Sequence, residues 1–482
     1  MGKIMKLSKL LTNIPHPEIS DIIEISSVCY DSRKAQKDSL FVCIKGYATD
    51  GHKYIESAVK NGAVAVVVED DCDTFGAIKI KVSDSRKALA EIGARFYNNP
   101  ADSLKIIGVT GTNGKTTTTT LIKHLLEYDG KKVGLIGTNG NMIGDRFLPT
   151  ERTTPESLEL HELFAQMADE GIEYVVMEVS SHSLYLKRVH GITFEAAVFT
   201  NLTQDHLDFH ETMENYKNAK KILFKNCKNA VVNVDDSAGA EIAEENKCFT
   251  YSIDAPSDLK AENIKISPRG VIFDAKTQSD TISARFSTPG RFSVYNALAS
   301  LGAAHVLGIS AKKATDALLL AKGVSGRCET LFTNTDYTVI IDYAHTPDGL
   351  QNILSTAREF AKARIITLFG CGGDRDNTKR PIMGEIAGKL SDFLIVTSDN
   401  PRTENPLAII KEIEPGVIKS GCDYKIVENR REAIFYGLSI AQKDDILILA
   451  GKGHETYQIL GTEKIHFDER EVINEILNEK EN

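Results

Sequence analysis

Short apolar runs alternate along the chain with longer stretches of mixed character, and the spacing predicts strands alternating with helices. Leu104–Val109, Val133–Ile136, Tyr174–Met177, Ala196–Phe199 and Ala230–Val234 form one series. The stretches between them are mostly helical in spacing, Thr116–Tyr128 among them. Continuous apolar runs of this length fit parallel strands covered on both faces. A second series follows at Thr338–Asp342, Arg364–Phe369, Phe393–Thr397 and Asp445–Ala450, again with helices between. Upstream, Ser39–Ile44 and Ala63–Val68 are strand-like and bracket a helix over Tyr54–Asn61. Thr250–Arg285 breaks the pattern. It is polar and alternating, as in a small antiparallel appendage. A helix over Val294–Leu307 then precedes Gly323-Val-Ser-Gly326-Arg327, which reads as a hinge. The whole predicts an α/β protein of three domains, at residues 1–98, 99–328 and 329–482.

Composition narrows the class without naming it. A chain of 482 residues suits about two to four domains of ordinary size. Lys+Arg number 57 against 67 Asp+Glu, a net charge of −10, which argues against nucleic acid or an anionic membrane as the partner. An anionic small substrate stays open, because a local Lys/Arg cluster overrides the global sign. Met1–Leu11 is basic but has no long apolar core, and no stretch approaches ~18 apolar residues, so a cytoplasmic chain without membrane insertion is expected. Eight cysteines lie scattered with no CxxC pair, which suits a reduced compartment and structural thiols and speaks against a zinc site.

Chemistry enters at residues 108–118, Gly-Val-Thr-Gly-Thr-Asn-Gly-Lys-Thr-Thr-Thr. A strand, a Gly-rich loop, Lys-Thr and a helix together make a phosphate cradle. Backbone N–H groups and the helix N-terminus face the phosphates, Lys115 neutralises β/γ charge and Thr116 offers a hydroxyl to Mg²⁺. The spacing departs from the common P-loop, since Val109 stands where a glycine is usual six residues before the lysine. Glu178 follows the strand Tyr174–Met177, where a carboxylate can serve as a Mg²⁺ ligand or be an ordinary surface glutamate. Asp205, His206, Asp208 and His210 crowd two carboxylates and two imidazoles after Phe199, a density that suits metal or phosphate work. Tyr216–Phe224 reads as an amphipathic helix. Its Lys217, Lys220 and Lys221 form what would ordinarily be a solvated face, and nothing in the pattern singles out Lys220.

Two clusters stand out in the last segment, Gly370–Pro381 and Ser398-Asp399-Asn400-Pro401-Arg402. The first lacks GxGxxG spacing and an acidic ribose partner, so it is no dinucleotide loop. Arg375 and Arg402 read as carboxylate clamps, since a guanidinium fork pairs with a carboxylate bidentately.

In combination these motifs resemble the Mur ligase family, the ATP-dependent amide ligases of peptidoglycan precursor synthesis. The shared marks run in family order over nearly the whole chain. They are Gly-Thr-Asn-Gly-Lys-Thr-Thr (111–117), Thr-Thr-Pro (153–155), Glu-Val-Ser-Ser-His (178–182), Asn-Leu-Thr-x-Asp-His-Leu-Asp (201–208), Ala-Lys (219–220), Gly-Arg-x-Glu (326–329), Asp-Tyr-Ala-His-Thr-Pro (342–347) and Gly-Lys-Gly-His-Glu (451–455). The resemblance implies a central P-loop-type, mostly parallel sheet flanked by an N-terminal uridine-nucleotide domain and a C-terminal Rossmann-like domain. It implies ATP held by Gly111, Thr112, Asn113, Gly114, Lys115, Thr116 and Thr117, with Asn296, Arg327 and Asp342 as adenosine and phosphate contacts. It implies Mg²⁺ at Thr116, Glu178 and His206, and Lys220 as a metal-binding carbamate formed with CO₂. Lys115, Glu178, His206 and Lys220 would then carry the catalysis.

The N-terminal segment is similar to that of the tripeptide-forming branch. Tyr30, Ser32, Thr153, Thr154, Ser180 and Arg188 are implied contacts of UDP-MurNAc-L-Ala-D-Glu, together with the loop Gly46-Tyr-Ala-Thr-Asp-Gly51. Asp399-Asn-Pro-Arg resembles the signature of the branch that adds meso-2,6-diaminopimelate, and Arg375, Asp399, Asn400, Pro401, Arg402, Gly451 and Glu455 would hold that amino acid. Ser293 and Leu186 depart from the family, which often has Asn and Gln there. The implied reaction phosphorylates the D-Glu γ-carboxylate and lets the diaminopimelate amine attack the acyl phosphate. The expected protein is a monomer. A lysine-adding sister ligase is the nearest alternative. A folate polyglutamate synthetase has no place for the N-terminal segment, and a non-catalytic ATP-binding regulator does not need Lys115, Glu178, His206, Lys220 and Arg402 together.

Overall fold

The computed structural model describes every residue except 1–3, 17, 19, 47, 48, 151 and 482, together with the side chains 479–481. The chain forms two compact units. Unit 1 comprises Met1–Leu259 and Ala299–Ala311, and unit 2 comprises Lys260–Leu298 and Lys312–Asn482. The Gly323–Arg327 segment lies inside unit 2.

Unit 1 contains a four-stranded parallel sheet, β1 (Ser27–Cys29), β2 (Ser39–Val42), β3 (Ala63–Val68) and β4 (Ile78–Lys81), in that order. The helix expected over Tyr54–Asn61 is shorter, Ile55–Lys60, because a 3₁₀ turn capped by Asp50 occupies Gly51–Tyr54. Helix α1 (Ser85–Phe96) follows, its N–H at Lys87 capped by Asp84.

A larger sheet then forms from β5 (Lys105–Thr110), β6 (Val133–Gly137), β7 (Gly140–Ile143), β8 (Arg146–Leu148), β9 (Tyr174–Glu178), β10 (Phe194–Phe199), β11 (Cys227–Asn233) and β12 (Cys248–Ser252). The order is β8-β7-β6-β9-β5-β10-β11-β12, parallel except for the β6–β7–β8 meander. Helices α2 (Lys115–Tyr128), α3 (Ser157–Asp169) and α4 (Met213–Lys221) belong to its crossovers. Ile106, Val175, Met177, Ala197 and Phe199 share one apolar cluster with Leu160, Leu163, Phe164 and Met167 of α3, as expected of strands covered by helices. The central strands β5, β9 and β10 place the chain ends Thr110, Glu178 and Phe199 beside one another, with Val109 in register with both Glu178 and Val198.

In unit 2, three antiparallel strands, β13 (Leu259–Ser267), β14 (Gly270–Lys276) and β15 (Thr281–Phe286), account for most of the alternating stretch. Its expected start at Thr250 falls instead in parallel β12, where the apolar content is too slight to mark a strand. Helix α5 (Arg291–Val306) leads on, its first half counted in unit 2 and its second in unit 1. The remaining sheet has β16 (Glu329–Leu331), β17 (Thr338–Asp342), β18 (Ile365–Phe369), β19 (Phe393–Val396), β20 (Tyr424–Ile426) and β21 (Ile446–Ala450). Its order is β16-β17-β21-β18-β19-β20, parallel except for β16. Alternate residues feed two cores. Ile340, Ile365 and Phe369 pack with α6 (Pro347–Phe360), α7 (Lys379–Leu390) and α8 (Pro406–Ser420), while Val339, Ile341, Ile366 and Leu368 pack with α9 (Arg430–Ile440) and α10 (Glu469–Glu481). A hairpin, β22 (Tyr457–Leu460) and β23 (Glu463–His466), follows β21.

Candidate active site

The loop after β5 is built tightly. Val109, in the place of the usual P-loop glycine, is a buried strand residue and not part of the turn. The turn starts at Gly111, whose φ of 151° and position against Thr200 exclude a side chain, since a Cβ there would collide with Thr200 Oγ1. The chain after β10 braces it. The Thr200 hydroxyl donates to the Asn113 carbonyl (2.6 Å), and the N–H groups of Thr112 and Asn113 donate to the Asn201 carbonyl and side-chain oxygens, both at 2.9 Å. Those two amides are therefore engaged within the protein. The orphan N–H groups of the first turn of α2 are the better anion donors. Lys115 Nζ bends back onto the carbonyls of Gly111 (2.9 Å) and Thr112 (2.8 Å).

Lys220 meets the same carbonyl. Its Nζ donates to Gly111 O at 2.8 Å and lies 4.4 Å from the centre of the Tyr216 ring. The expectation of a solvated lysine face fails here. Lys217 and Lys221 pair with Glu241 and Glu245, but Lys220 is only 2% exposed. Burial, reinforced by the charge of Lys115, drives its pKa well below that of an ordinary lysine. Tyr216 OH shares a hydrogen bond with Thr112 Oγ1 (3.2 Å), and the His206 ring lies 6.1 Å from the Tyr216 ring. Burial lowers the pKa of His206, with Lys115 and Lys220 adding to the effect and Asp205 opposing it. These contacts tie Lys115, Lys220 and His206 to one loop.

Glu178 is the last residue of β9 and not a residue beyond it, and it is 1% exposed. The Thr138 N–H donates to Oε1 (2.9 Å) and the Thr138 hydroxyl to Oε2 (3.1 Å). A carboxylate has about four lone-pair sites, so capacity remains for a cation. Thr153 Oγ1 bonds the Thr138 hydroxyl (3.0 Å). Thr154 has its hydroxyl on the Glu178 carbonyl (2.8 Å) and also accepts from the Ser180 N–H (3.2 Å). Arg188 is held by Glu156 (3.2 Å) and the Thr154 carbonyl (3.1 Å). Sequence reasoning passed over His182, whose ring packs 4.7 Å from His206 and 4.0 Å from Phe209, and whose pKa burial pushes down to about 4. Its place in Glu-Val-Ser-Ser-His was the only available signal.

Further along unit 1, Tyr30 donates to Glu159 Oε1 (2.7 Å) and Ser32 is buried. Tyr47 and Ala48 of the Gly46–Gly51 loop lie outside the described residues. A cavity of about 450 Å³ is lined by Lys45, Gly46, Asp84, Arg86, Tyr185, Leu186 and Lys187. Lys187 pairs with Asp84, and Arg86 with Glu156 at 3.3 Å.

Unit 2 assembles the other expected residues in two places. Asn296 is buried on α5. The Arg327 guanidinium lies 5.2 Å from the Tyr343 ring centre, and its buried Nε has no hydrogen-bond partner among the described residues. Asp342 accepts from the N–H groups of Cys328 (2.6 Å) and Ala344 (2.8 Å), and burial raises its pKa.

The second place lies at the ends of β18, β19 and β21. Arg402 has φ 51° and donates to the Gly373 carbonyl at 2.8 Å, which brings the Ser398–Arg402 loop onto the Gly370 loop. Buried Arg380 clamps the same two loops through Glu404 (2.9 Å), Glu412 (2.9 Å) and the Gly372 carbonyl (3.1 Å). Asn400 donates to Glu455 (2.9 Å), and Gln458 donates to the Asp399 carbonyl (2.6 Å). A Cβ at Gly451 would stand 2.5 Å from Asp399 Oδ2, so this position requires glycine. Pro401 is buried, and Arg375 is exposed in the Gly370 loop. Beneath the loops, the fully buried pair Arg430–Glu469 (2.8 Å) also grips the carbonyls of Ser398 (3.3 Å) and Ala450 (3.0 Å). No charge pattern in the sequence marks that pair.

A phosphate-loop α/β core with a buried acid and a buried lysine at its strand ends, and a cluster of arginine, carboxylate and amide groups on a second parallel sheet, defines a nucleotide-dependent enzyme of the ligase class. Family models match over most of the chain: the Mur ligase family catalytic domain at residues 24–97, the Mur ligase middle domain at 109–304 and the Mur ligase glutamate ligase domain at 326–453. The chain is 52% identical over 485 residues to the UDP-N-acetylmuramoyl-L-alanyl-D-glutamate--2,6-diaminopimelate ligase of Clostridium botulinum, covering 98% of this chain and 100% of that protein. To the relative of the same name from Caldanaerobacter subterraneus it is 53% identical, with 99% and 100% covered. A solved structure of such a ligase superposes with a TM-score of 0.75 at 32% identity, covering 99% of each chain. The chain belongs to the Mur ligase family and is an ATP-dependent ligase.

Proposed function

We propose that the protein joins meso-2,6-diaminopimelate to the γ-carboxyl of D-Glu in UDP-MurNAc-L-Ala-D-Glu, with ATP, during peptidoglycan precursor synthesis. The observation that carries this reading is the cluster at the ends of β19 and β21, where Arg402, Asp399, Asn400 and Glu455 stand together. An arginine with carboxylates and an amide is the complement of a distal ammonium–carboxylate pair. The names of the full-length relatives agree with it. We assign the chain three functional domains, 1–98 for the nucleotide sugar, 99–328 for ATP and 329–482 for the amino acid, and a monomeric, cytoplasmic state. Among the described residues no helix is long and apolar enough to cross a membrane.

Gly111, Gly114, Lys115, Thr116 and Thr117 hold the ATP phosphates, with Thr112 and Asn113 shaping the loop. Asn296, Arg327 and Asp342 serve the adenosine side, and the unpartnered Nε of Arg327 supports a ligand there. The oxygen-rich donor set of Thr116 and Glu178, completed by His206, fits Mg²⁺. When bound, Mg²⁺ offsets the charge that spreads over the transferred phosphoryl group. Lys115 adds its own ammonium to that task. Burial lowers the pKa of Lys220 and so favours the free amine, the form that reacts with CO₂; the N–C bond forms, a proton leaves, and the carbamate supplies a second anionic ligand beside Glu178. Tyr30, Ser32, Thr153, Thr154, Ser180 and Arg188 position the acceptor, and the cationic rim of the Lys45–Lys187 cavity suits its nucleotide-sugar portion. Arg375, Pro401 and Gly451 complete the diaminopimelate pocket with Arg402. Orienting the amine beside the acyl phosphate is the larger part of this catalysis.

The test is ligation of labelled diaminopimelate or L-lysine, in buffer stripped of CO₂ and again with bicarbonate restored. Diaminopimelate should be incorporated in preference by ~10⁴-fold, since lysine leaves the partly buried Arg402 guanidinium without a carboxylate partner. Activity should fall without CO₂ and return with bicarbonate. Preference for lysine sinks the substrate assignment, and indifference to CO₂ sinks the carbamate.

A further inference from the structure

Lys452 lies within the diaminopimelate cluster, yet none of the roles above uses it. It is 0% exposed. Its ammonium donates to Asn400 Oδ1 and to Glu455 Oε2, both at 3.2 Å, and lies 5.7 Å from the centre of the Tyr457 ring. Glu455 meets it as an opposite charge.

The hydrogen bonds also decide which way the Asn400 amide faces. The Lys452 ammonium and the Ile459 backbone N–H are donors only. Both lie against one end of the amide, at 3.2 and 3.0 Å, so that end is the carbonyl oxygen. The other end is therefore Nδ2, which donates to Glu455 Oε2 at 2.9 Å. Nδ2 keeps a second N–H for which the described residues supply no acceptor. Glu455 Oε2 takes two donors, while among the described residues Oε1 has only a weak contact with Tyr457 OH at 3.4 Å.

We propose that Lys452 is a positioning residue that, together with the Ile459 N–H, holds the sense of the Asn400 amide, making it a donor to the distal carboxylate of the amino acid and leaving Glu455 Oε1 for the distal ammonium. The inference rests on the diaminopimelate reading of this site. Diaminopimelate differs from lysine by that carboxylate. With Lys452 in place, Asn400 turns a donor toward it and offers no acceptor to a bare ammonium. Without Lys452 the Ile459 N–H alone still holds the amide oxygen, so the turned-over amide, which accepts from the ammonium of lysine, becomes less costly.

Lys452→Met removes the ammonium at nearly constant side-chain length. KM and kcat are measured for diaminopimelate and for L-lysine, with the KM values for ATP and the UDP-linked dipeptide as references. The kcat/KM for diaminopimelate should fall on the order of 100-fold, mainly through KM, and that for lysine much less, so that their ratio drops by ~10-fold or more. The reference KM values should hold. A merely structural lysine would weaken both amino acids alike, and an unchanged ratio overturns the proposal. Should Lys452→Met not fold, Lys452→Arg keeps the charge but replaces a point donor by a planar fork. An unchanged ratio in that variant overturns it equally. A wild-type enzyme that prefers lysine defeats the parent reading instead, before any variant is made.

Discussion

One buried imidazole adds to the acid sensitivity of unit 1. His161, on α3, is 2% exposed, with its ring edge-on to Phe164 at 6.0 Å. Neither ring nitrogen has a hydrogen-bond partner among the described residues, and burial pushes the pKa from 6.5 down to about 4. The folded state thus binds fewer protons than the unfolded chain between those values. Its stability is fully present above pH 6.5 and is lost as pH falls toward 4, by about 2 kcal/mol at pH 5. His161→Leu removes both the titration and a buried unsatisfied polar group, so the variant should melt above wild type, by more at pH 5 than at pH 7.5. A gap in melting temperature that ignores pH would refute this. Residue-scale chemistry was unevenly legible. Lys115 stood out by the Gly-rich loop before it, whereas Glu178 read equally as a ligand or a surface glutamate until burial decided against the surface. Lys220 did not stand out, because three lysines on one short helix look alike until packing puts one of them under Gly111. Lys452 was hidden for a similar reason, between two glycines whose own roles drew the eye.

Among the elements, the central strands were readable because a parallel strand buried on both faces is apolar throughout. The hairpins β7–β8 and β22–β23 were missed, since their sequences, Gly-Asn-Met-Ile with Arg-Phe-Leu and Tyr-Gln-Ile-Leu with Glu-Lys-Ile-His, carry no consistent face. Helix pairing was also beyond sequence pattern. Helix α7 follows the Gly370 loop and α8 follows the Arg402 loop, and the two approach backbone to backbone. A Cβ on Gly416 would collide with the Pro381 carbonyl, and one on Gly384 with the Ile413 carbonyl. Gly416→Ala should therefore push the helices apart and destabilise the protein by about 2 kcal/mol, an overpacking penalty. Because each helix anchors one of the two arginine-bearing loops, KM for diaminopimelate should rise several-fold while KM for ATP holds. Denaturant unfolding with steady-state kinetics checks both, and an unaltered diaminopimelate KM in a destabilised variant would separate the helix pair from the site.

Across the whole chain, the residues assigned to phosphoryl transfer and those assigned to the incoming amino acid fall in different compact units. Lys115, Glu178, His206 and Lys220 belong to unit 1, and Arg402, Asn400 and Glu455 to unit 2. The two half-reactions should therefore be separable by mutation. Arg402 donates to the Gly373 carbonyl, within unit 2. Arg402→Ala removes the partner of the distal carboxylate, so amide formation should fall on the order of 100-fold or more. Formation of the acyl phosphate asks nothing of that guanidinium. Hydroxylamine attacks an acyl phosphate to give a hydroxamate and free phosphate, and it needs no amino-acid pocket. With ATP and the UDP-linked dipeptide, the Arg402→Ala enzyme should give hydroxamate at a rate within about three-fold of wild type, since no interaction of the phosphoryl-transfer step is lost. Lys115→Ala should lose hydroxamate and amide together, because its ammonium serves the step both share. If Arg402→Ala also abolishes hydroxamate, activation of the carboxylate requires an intact amino-acid pocket, and the division of labour between the units is wrong.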